Sequence, residues 1–377
     1  MITTNDGTDP PQRIARLTPL ADVLRQIEAR AAPAAPRNLE TGAALGRVLA
    51  EDVVIKSPIP AAALALRDGW AVQSDFTTDA GPYAPAPLAS AKRVEAGEPL
   101  PGGADAVVRF EAVTLRAGVA HVLSPISAGE GVLPTGGDAA AGAVLIEAGR
   151  RLSHLQVASL VAAGTKTVRL REPRLSLVRA RPQADVILDA AIEWIADAIK
   201  SEGGTAVVHS AHGGLQNALN DSSVDAVVTI GGTGSGARDA TVRTLADVGE
   251  VHVHGVALTP GETAAFASVG GRPVLALPGR LDAALAVWLV IGRCLLARLT
   301  GRTDAEPAMT AKLARKIASP LGLAEVVPVH MKEGTMEPIA SGYLSLAVLA
   351  QADGWILVPP DSEGYPAGAE VMVRAWP

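Results

Sequence analysis

One segment limits what this chain can fold into more than any other. Ala226-Val-Val-Thr-Ile230 is a run of apolar and β-branched residues that stops at Gly231-Gly232-Thr233-Gly234-Ser235-Gly236 and continues through Ala237-Arg238-Asp239. A short apolar run without polar alternation reads as a strand buried on both faces, which requires helices on both sides of its sheet. The neighbours agree. Leu175–Val178 and Thr205–His209 read as strands, Asp189–Lys200 as a helix stopped at Gly203-Gly204, and Val274–Leu277 as a strand feeding the long helix Leu281–Leu299. This alternation predicts a parallel sheet in a three-layer α/β/α domain over residues 172–303.

The same segment carries the strongest chemical signal. Glycines let backbone approach a ligand closely, and N–H groups at a helix start attract phosphate or another oxyanion. Gly231, Gly232, Thr233, Gly234, Ser235 and Gly236 are therefore expected to bind an anionic substrate, against the plainer reading of a tight turn with no ligand. A dinucleotide site is a third reading, because Gly232-x-Gly234-x-x-Ala237 satisfies a permissive fingerprint. That fingerprint wants an acid closing the next strand, whereas Glu250 opens the strand Val251–His254. Two further turns, Thr259-Pro260-Gly261-Glu262 and Pro278-Gly279-Arg280, follow in sequence. Loops after parallel strands gather at the carboxyl edge of a sheet, where open α/β folds bind ligands, so the three turns predict one elongated cleft.

Outside this domain the texture changes. A helix is expected from Thr18 as cap with Pro19 at its first position, presenting Leu20, Val23, Leu24 and Ile27 on one face. Further helical stretches are expected at Thr41–Ala50 and at Leu152–Ala163, the latter ended by Gly164. Between them, prolines and glycines punctuate short runs such as Ala106–Phe110 and Val119–Leu123. The expected organisation is a disordered tail (1–13), a discontinuous helical linker domain (14–56 and 139–171) and a β-rich insertion (57–138). In the last part, 304–377, Val326–Val329, Gly354–Val358 and Glu370–Val373 predict a small C-terminal β-barrel. With 377 residues, 48% hydrophobic and 19% charged, the chain can fill several cores.

A formal charge of -6 gives no support to a nucleic-acid partner, although oriented backbone amides still bind small anions. The lone Cys294 lies in an apolar helical segment and reads as a structural thiol. Met1–Gln12 lacks the pattern of a secretion signal, and the longest apolar run, Ala283–Gly292, is too short to span a bilayer. A cytoplasmic protein with no membrane partner is expected. His209 with His212, and His252 with His254, lack a third ligand at clear spacing and read as polar faces, while Trp70, Trp194, Trp288 and Trp355 read as core anchors.

In order along the chain, these motifs resemble those of the MoeA family of molybdenum insertases, a family similar to the E domain of gephyrin. Arg67-Asp68-Gly69-Trp70-Ala71-Val72 resembles the family's Met-Asp-Gly-Tyr-Ala-Val. Gly97-Glu-Pro99-Leu-Pro101-Gly-Gly103-Ala-Asp105-Ala-Val-Val108 is similar to its Gly-x-Pro-x-Pro-x-Gly-Ala-Asp-Ala-Val-Val. Gly136-Gly137-Asp138 resembles its Gly-Glu-Asp, the glycine-rich loop its Ser-Gly-Gly-x-Ser-x-Gly-x-x-Asp, and Ser341-Gly342 through Pro366-Ala-Gly368 its last domain. The match runs from about residue 14 to 377. It implies a homodimer in which the β insertion of one subunit faces the cleft of the other. It also implies a reaction, in which adenylyl-molybdopterin and molybdate give molybdenum cofactor and AMP with Mg²⁺ assisting. Asp68, Asp138 and Asp239 are the positions that retain the family's carboxylates, with Asp239 the Mg²⁺ ligand, although each also reads as a turn or capping aspartate.

The pattern is degenerate elsewhere. The family's Lys-Pro-Gly-Lys has Thr259 and Glu262 in place of its lysines, and the Asn-Pro after Leu-Pro-Gly is Arg280-Leu281. Its Thr-Gly-Asp-Glu is Arg179-Ala180-Arg181-Pro182, and its Asp-Asn-Ser is Ala63-Leu64-Ala65. Two expectations follow: Arg179, Arg181, Arg238 and Arg280 restore oxyanion binding through bidentate contacts, or the protein is a catalytically inactive molybdopterin-binding or carrier protein.

Overall fold

The computed structural model describes residues 12–88, 90–180, 185–209, 214–236, 239–304 and 307–377. The chain divides into two compact units, one of Met1–Glu51, Ala148–Val157 and Thr167–Pro377, the other of Asp52–Glu147 and Ala158–Lys166.

The first unit is organised by a six-stranded sheet in the order Thr205–Val208, Arg174–Arg179, Ala226–Ile230, Arg272–Leu277, Ala265–Val269, Glu250–His254. The first four strands are mutually parallel, whereas Ala265–Val269 runs against both of its neighbours. The all-parallel expectation is thereby corrected to a mixed sheet. Gly270 and Gly271 have φ of +57° and +78°, which closes a two-residue hairpin and makes Arg272–Leu277 its second arm. Ala226–Ile230 is buried at all five positions. Val228 and Ile230 face Leu188, Ile192, Ile195 and Trp288, while Val227 packs with Leu215, Leu219, Val242 and Leu245. That two-sided burial is why the run carries no polar alternation.

Leu281–Thr300 is one continuous helix with a π-helical turn at Trp288–Gly292, and a Cβ at Gly292 would overlap the Trp288 ring. At 20 residues and a mean hydropathy of 1.7 it exceeds the run seen in the sequence and is long and apolar enough to cross a membrane, yet 78% of its most apolar window is buried inside the chain. It is the core helix of the first unit. Cys294 is partly buried, and burial pushes its thiol pKa up, which agrees with an inert thiol.

The C-terminal residues form a sheet in the order Leu258–Thr259, Ala324–Lys332, Gly354–Val358, Glu370–Ala375, Ala308–Lys312. Among the described residues no pairing joins its first and last strands, so an open sheet stands where a barrel was expected. Its first strand comes from the preceding domain: Leu258 and Thr259 pair in parallel with Ala324 and Glu325.

The linker is less helical than expected. Leu20–Arg30 is a helix that buries Leu20, Val23 and Ile27, with Pro19 as its cap instead of Thr18. Thr41–Ala50 is instead a 3₁₀ turn (Thr41–Ala43) followed by the strand Val48–Leu49. That strand and Arg37–Glu40 flank Thr167–Arg171 in an antiparallel sheet. Gly46, at φ +75°, breaks the helical path, and pairing with a strand far along the chain overrides local propensity. Helix His154–Ala162 opens with a reciprocal cap, the Gln156 amide donating to Ser153 Oγ at 3.3 Å and the Ser153 amide to Gln156 Oε1 at 2.8 Å.

The second unit is β-rich. Gly69–Val72 is flanked by Lys92–Val94 and Ala106–Val108, and Val72, Leu88, Ala106, Val108 and Val122 form a core. Val53–Val54 pairs with Val144–Ile146, which carries the insertion a few residues beyond the 57–138 read from sequence.

Candidate ligand-binding site

The glycine-rich loop leaves the carboxyl end of Ala226–Ile230. Gly231 and Gly232 adopt φ of +94° and +69°, and a Cβ at Gly232 would overlap Thr241 Oγ1, so glycine is required there. Four of the contacts that hold the loop come from its own strand-to-helix connection and the adjacent strand. Gly231 N–H donates to Leu277 O at 2.8 Å, Thr241 N–H to Gly232 O at 3.1 Å, Thr241 Oγ1 to Gly231 O at 2.9 Å, and Gly236 N–H to Asp239 Oδ2 at 3.1 Å. The consecutive amides of Gly232, Thr233, Gly234 and Ser235 donate to no described residue.

Asp239 does not lie in the first turn of a helix, as its sequence position suggested. The helix is Thr241–Val248 with Ala240 as cap, and the Asp239 carboxylate turns back over the loop. It fits because glycine has no side chain: a Cβ at Gly234 would lie 2.8 Å from Asp239 Oδ2, and one at Gly236 3.0 Å.

The three turns singled out in the sequence do converge. A Cβ at Gly279 would lie 3.4 Å from Gly231 Cα, so the Pro278-Gly279-Arg280 turn abuts the loop. On the other side Thr233 Oγ1 and Thr263 Oγ1 are 3.0 Å apart, which joins the loop to the turn after Thr259 and Pro260. Thr259 is buried in its short strand, and half-buried Glu262 accepts the Gly261 N–H at 3.1 Å. His254 Nε2 lies 3.0 Å from Thr233 O, which fixes a proton on Nε2, since a carbonyl only accepts.

Of the four arginines singled out in the sequence, the two that are described are already engaged. Arg280 donates to both oxygens of Asp282, through Nε at 3.1 Å and through Nη2 at 2.5 Å, and lies 5.2 Å from the Tyr343 ring centre. Its hydrogen bond to Asp282 raises its pKa further above the usual value. Asp282 is 3% exposed and also accepts the Leu344 N–H at 3.2 Å, so this pair ties the turn to the loop ahead of helix Leu346–Gln351 in the C-terminal module. Arg179 is ion-paired with Asp189 at 3.2 Å. Arg181 and Arg238, like His212, lie outside the described residues.

Asp68 and Asp138 belong to the second unit and are exposed. Asp68 Oδ1 accepts the Ala96 N–H at 2.8 Å, and a Cβ on the following Gly69 would overlap the Val108 carbonyl, a packing reason for the Asp-Gly pair. Asp138 N–H donates to Ile59 O at 2.9 Å. Sequence reasoning missed three residues at the loop: His254 as a loop ligand, Thr263, and Gln12, whose amide reaches the loop from a segment read as a disordered tail. Residues 1–11 of that tail lie outside the described residues.

A mixed α/β sheet with three turns converging at its carboxyl edge, a β module whose first strand is supplied by the α/β segment, and a β-rich insertion define a multidomain protein of molybdopterin metabolism once set beside known proteins. The model of the "MoeA N-terminal region (domain I and II)" matches residues 18–164, that of a "Probable molybdopterin binding domain" 161–298, and that of the "MoeA C-terminal region (domain IV)" 310–376. The chain belongs to the MoeA family. It is 27% identical over 428 residues to molybdopterin molybdenumtransferase 1 of Mycobacterium tuberculosis, covering 93% of this chain and 97% of that one. With the molybdopterin molybdenumtransferase of Synechococcus elongatus it shares 24% identity over 384 residues, covering 89% and 93%. The crystal structure of a molybdopterin biosynthesis MoeA protein from Pyrococcus horikoshii is similar with a TM-score of 0.79 and 27% identity, over 96% of this chain and all of that one.

Proposed function

We propose that this protein acts in molybdenum cofactor biosynthesis as a transferase, inserting molybdate into adenylyl-molybdopterin with release of AMP. One observation carries the reading: four consecutive amides, Gly232 to Ser235, with no acceptor among the described residues, lie where three turns meet at the carboxyl edge of the sheet. Backbone donors of this kind bind pyrophosphate oxygens without net positive charge, and they stabilise charge that builds on those oxygens as the phosphoanhydride bond to AMP breaks. The substrate-contacting set is Gly231–Gly236, Thr259–Glu262 and Pro278–Arg280. Asp239 is the carboxylate beside the bond that breaks.

Magnesium is the cofactor that family membership implies. Among the described residues no three His, Cys, Asp or Glu side chains group to hold a metal ion, and Asp239 Oδ2 is committed to the Gly236 N–H. Mg²⁺ needs only one or two carboxylates beside phosphate oxygens and waters, so Asp239 at the loop would be this chain's ligand and the ion would offset charge on the pyrophosphate. A symmetric homodimer in the cytoplasm, with Asp68 and Asp138 supplied by the partner's insertion, is part of the same proposal.

A second reading, a molybdopterin-binding carrier without turnover, has its own support. Thr259 and Glu262 are not cations, and Arg179 and Arg280 are paired with Asp189 and Asp282. Measuring AMP release from adenylyl-molybdopterin with and without molybdate separates the two. Molybdate-dependent release is expected, and binding without release in either condition would replace the transferase with the carrier.

A further inference from the structure

Gln12 is 7% exposed, and its side-chain Nε2 lies 2.7 Å from both Gly232 O and Gly234 O. Only the NH₂ end of an amide can serve two carbonyls, so the orientation of the side chain is determined. Its Oε1 is buried and has no hydrogen-bond partner among the described residues. The segment that brings Gln12 to the loop is itself anchored. Thr18 N–H donates to Gly255 O at 2.9 Å and Ala257 N–H to Thr18 O at 2.8 Å, while a Cβ at Gly255 would overlap Ile14.

The consequence follows from peptide geometry. In a planar trans peptide the C=O of one residue and the N–H of the next point in opposite directions. Pinning Gly232 O and Gly234 O to Gln12 therefore aims the Thr233 and Ser235 N–H groups away from Gln12, and these are two of the four amides without a described acceptor. A glycine-rich loop has many backbone conformations to choose from, so an external fixture matters more there than in a stiffer turn. Gln12 also lies ahead of the first family match, which begins at residue 18.

We propose that Gln12 is a positioning residue that presets the Thr233 and Ser235 amides for an anionic ligand. The identity of that ligand as a phosphate of the pterin substrate or of AMP rests on the functional reading above. Gln12 touches the loop and not the ligand, and its effect passes through the two carbonyls it holds.

The test uses the full chain and Gln12→Met, which keeps the length and burial of the side chain but removes both donors. Hydrogen–deuterium exchange of the peptide covering Gly232–Ser235 is expected to speed up at least tenfold, with the melting temperature almost unchanged. AMP affinity by calorimetry is expected to fall about tenfold, since an unfixed loop must order itself on binding. Gln12→Lys, whose ammonium can donate to both carbonyls, is expected to restore slow exchange. Unchanged loop exchange in Gln12→Met overturns the proposal, and so does faster exchange that leaves AMP affinity as in wild type. Should Gln12→Met fold poorly, Gln12→Asn, one methylene too short to reach both carbonyls, is read the same way. If the wild type binds no AMP, the functional reading fails and loop exchange alone decides whether Gln12 fixes the loop.

Discussion

The glycine-rich loop and the turn from Thr259 to Glu262 are neighbours, joined through Thr233 and Thr263, but they are built differently. The loop is built from glycines with the Asp239 carboxylate folded over it, and most of the polar groups it offers are those of the main chain. The turn has Pro260 and Gly261 at its centre and Thr259 and Glu262, neither of them a cation, on its flanks. Backbone chemistry is bound to conformation: Gly231 and Gly232 sit at positive φ, and a Cβ at Gly232 would overlap Thr241, so the loop cannot drift without refolding. Side-chain chemistry carries no such constraint. The side chain at Thr259 can change while its backbone keeps the strand pairing with Glu325.

The largest effect is expected from Asp239, the carboxylate folded over the loop. Asp239→Asn keeps an oxygen acceptor for the Gly236 N–H but removes the charge, so AMP release should fall on the order of a hundredfold with the fold intact. If subunits complement each other, mixing Asp239→Asn with Asp68→Asn should recover part of the lost rate, which either mutant alone would lack. No recovery in confirmed mixed dimers would count against active sites shared between subunits.

Gly234→Val comes next. Its Cβ would meet Asp239 Oδ2 at 2.8 Å, displacing the carboxylate from Gly236, and substrate affinity should drop at least tenfold, about 1.4 kcal/mol. Unchanged affinity in a folded variant would move the phosphate contacts off the loop. Smaller still is the gain from restoring a cation to the turn. Glu262 is half-buried and can be replaced, whereas a lysine at buried Thr259 must desolvate its ammonium and should lower the melting temperature. Glu262→Lys alone should tighten AMP binding by about fivefold, roughly 1 kcal/mol, and the gain should shrink at high salt.

The smallest effect lies on the neighbouring strand. Burial, and then the nearby Arg30, depress the His252 pKa below its ordinary 6.5. Arg30 Nε donates to His252 Nδ1 at 3.1 Å, which requires the neutral ring despite Glu250 3.4 Å away. The unfolded chain therefore binds the extra proton first, and stability should decline as pH falls through 6.5 toward the lower folded value. Melting curves between about pH 7 and 5 should show a slope that His252→Gln flattens. An equal slope in both proteins would assign it to other groups.

Legibility in the sequence divides along the same line. Ala226–Ile230 and its glycine loop can be read because burial on both faces and positive φ leave a mark within a dozen residues. The misread helix at Thr41–Ala50 and the missed strand Ala265–Val269 depend on partners that local periodicity does not encode; Leu49, for instance, pairs with Leu170. Gln12 lies 220 residues from the glycine it holds, and a polar N-terminal segment looks the same whether it is anchored or loose. Arg179 and Arg280, expected to compensate for lost lysines, do lie at or just after strand ends, but their carboxylate partners, Asp189 and Asp282, cannot be read from spacing alone.

The strand Leu258–Thr259 has a consequence for how this chain could be cut or recombined. A boundary drawn near residue 303 separates two sequence modules, but the zipper between Leu258 and Ala324 crosses it, as does the Asp282 bond to Leu344. Excising the last module would strip Leu258–Thr259 of its sheet partner, and a last module made alone would leave Ala324 and Glu325 as an unpaired edge open to other chains, with Val329–Lys332 still covered by Thr335–Pro338. A fragment ending at 303 should therefore be a poor stand-in for the α/β domain, and grafts from relatives should exchange both modules together.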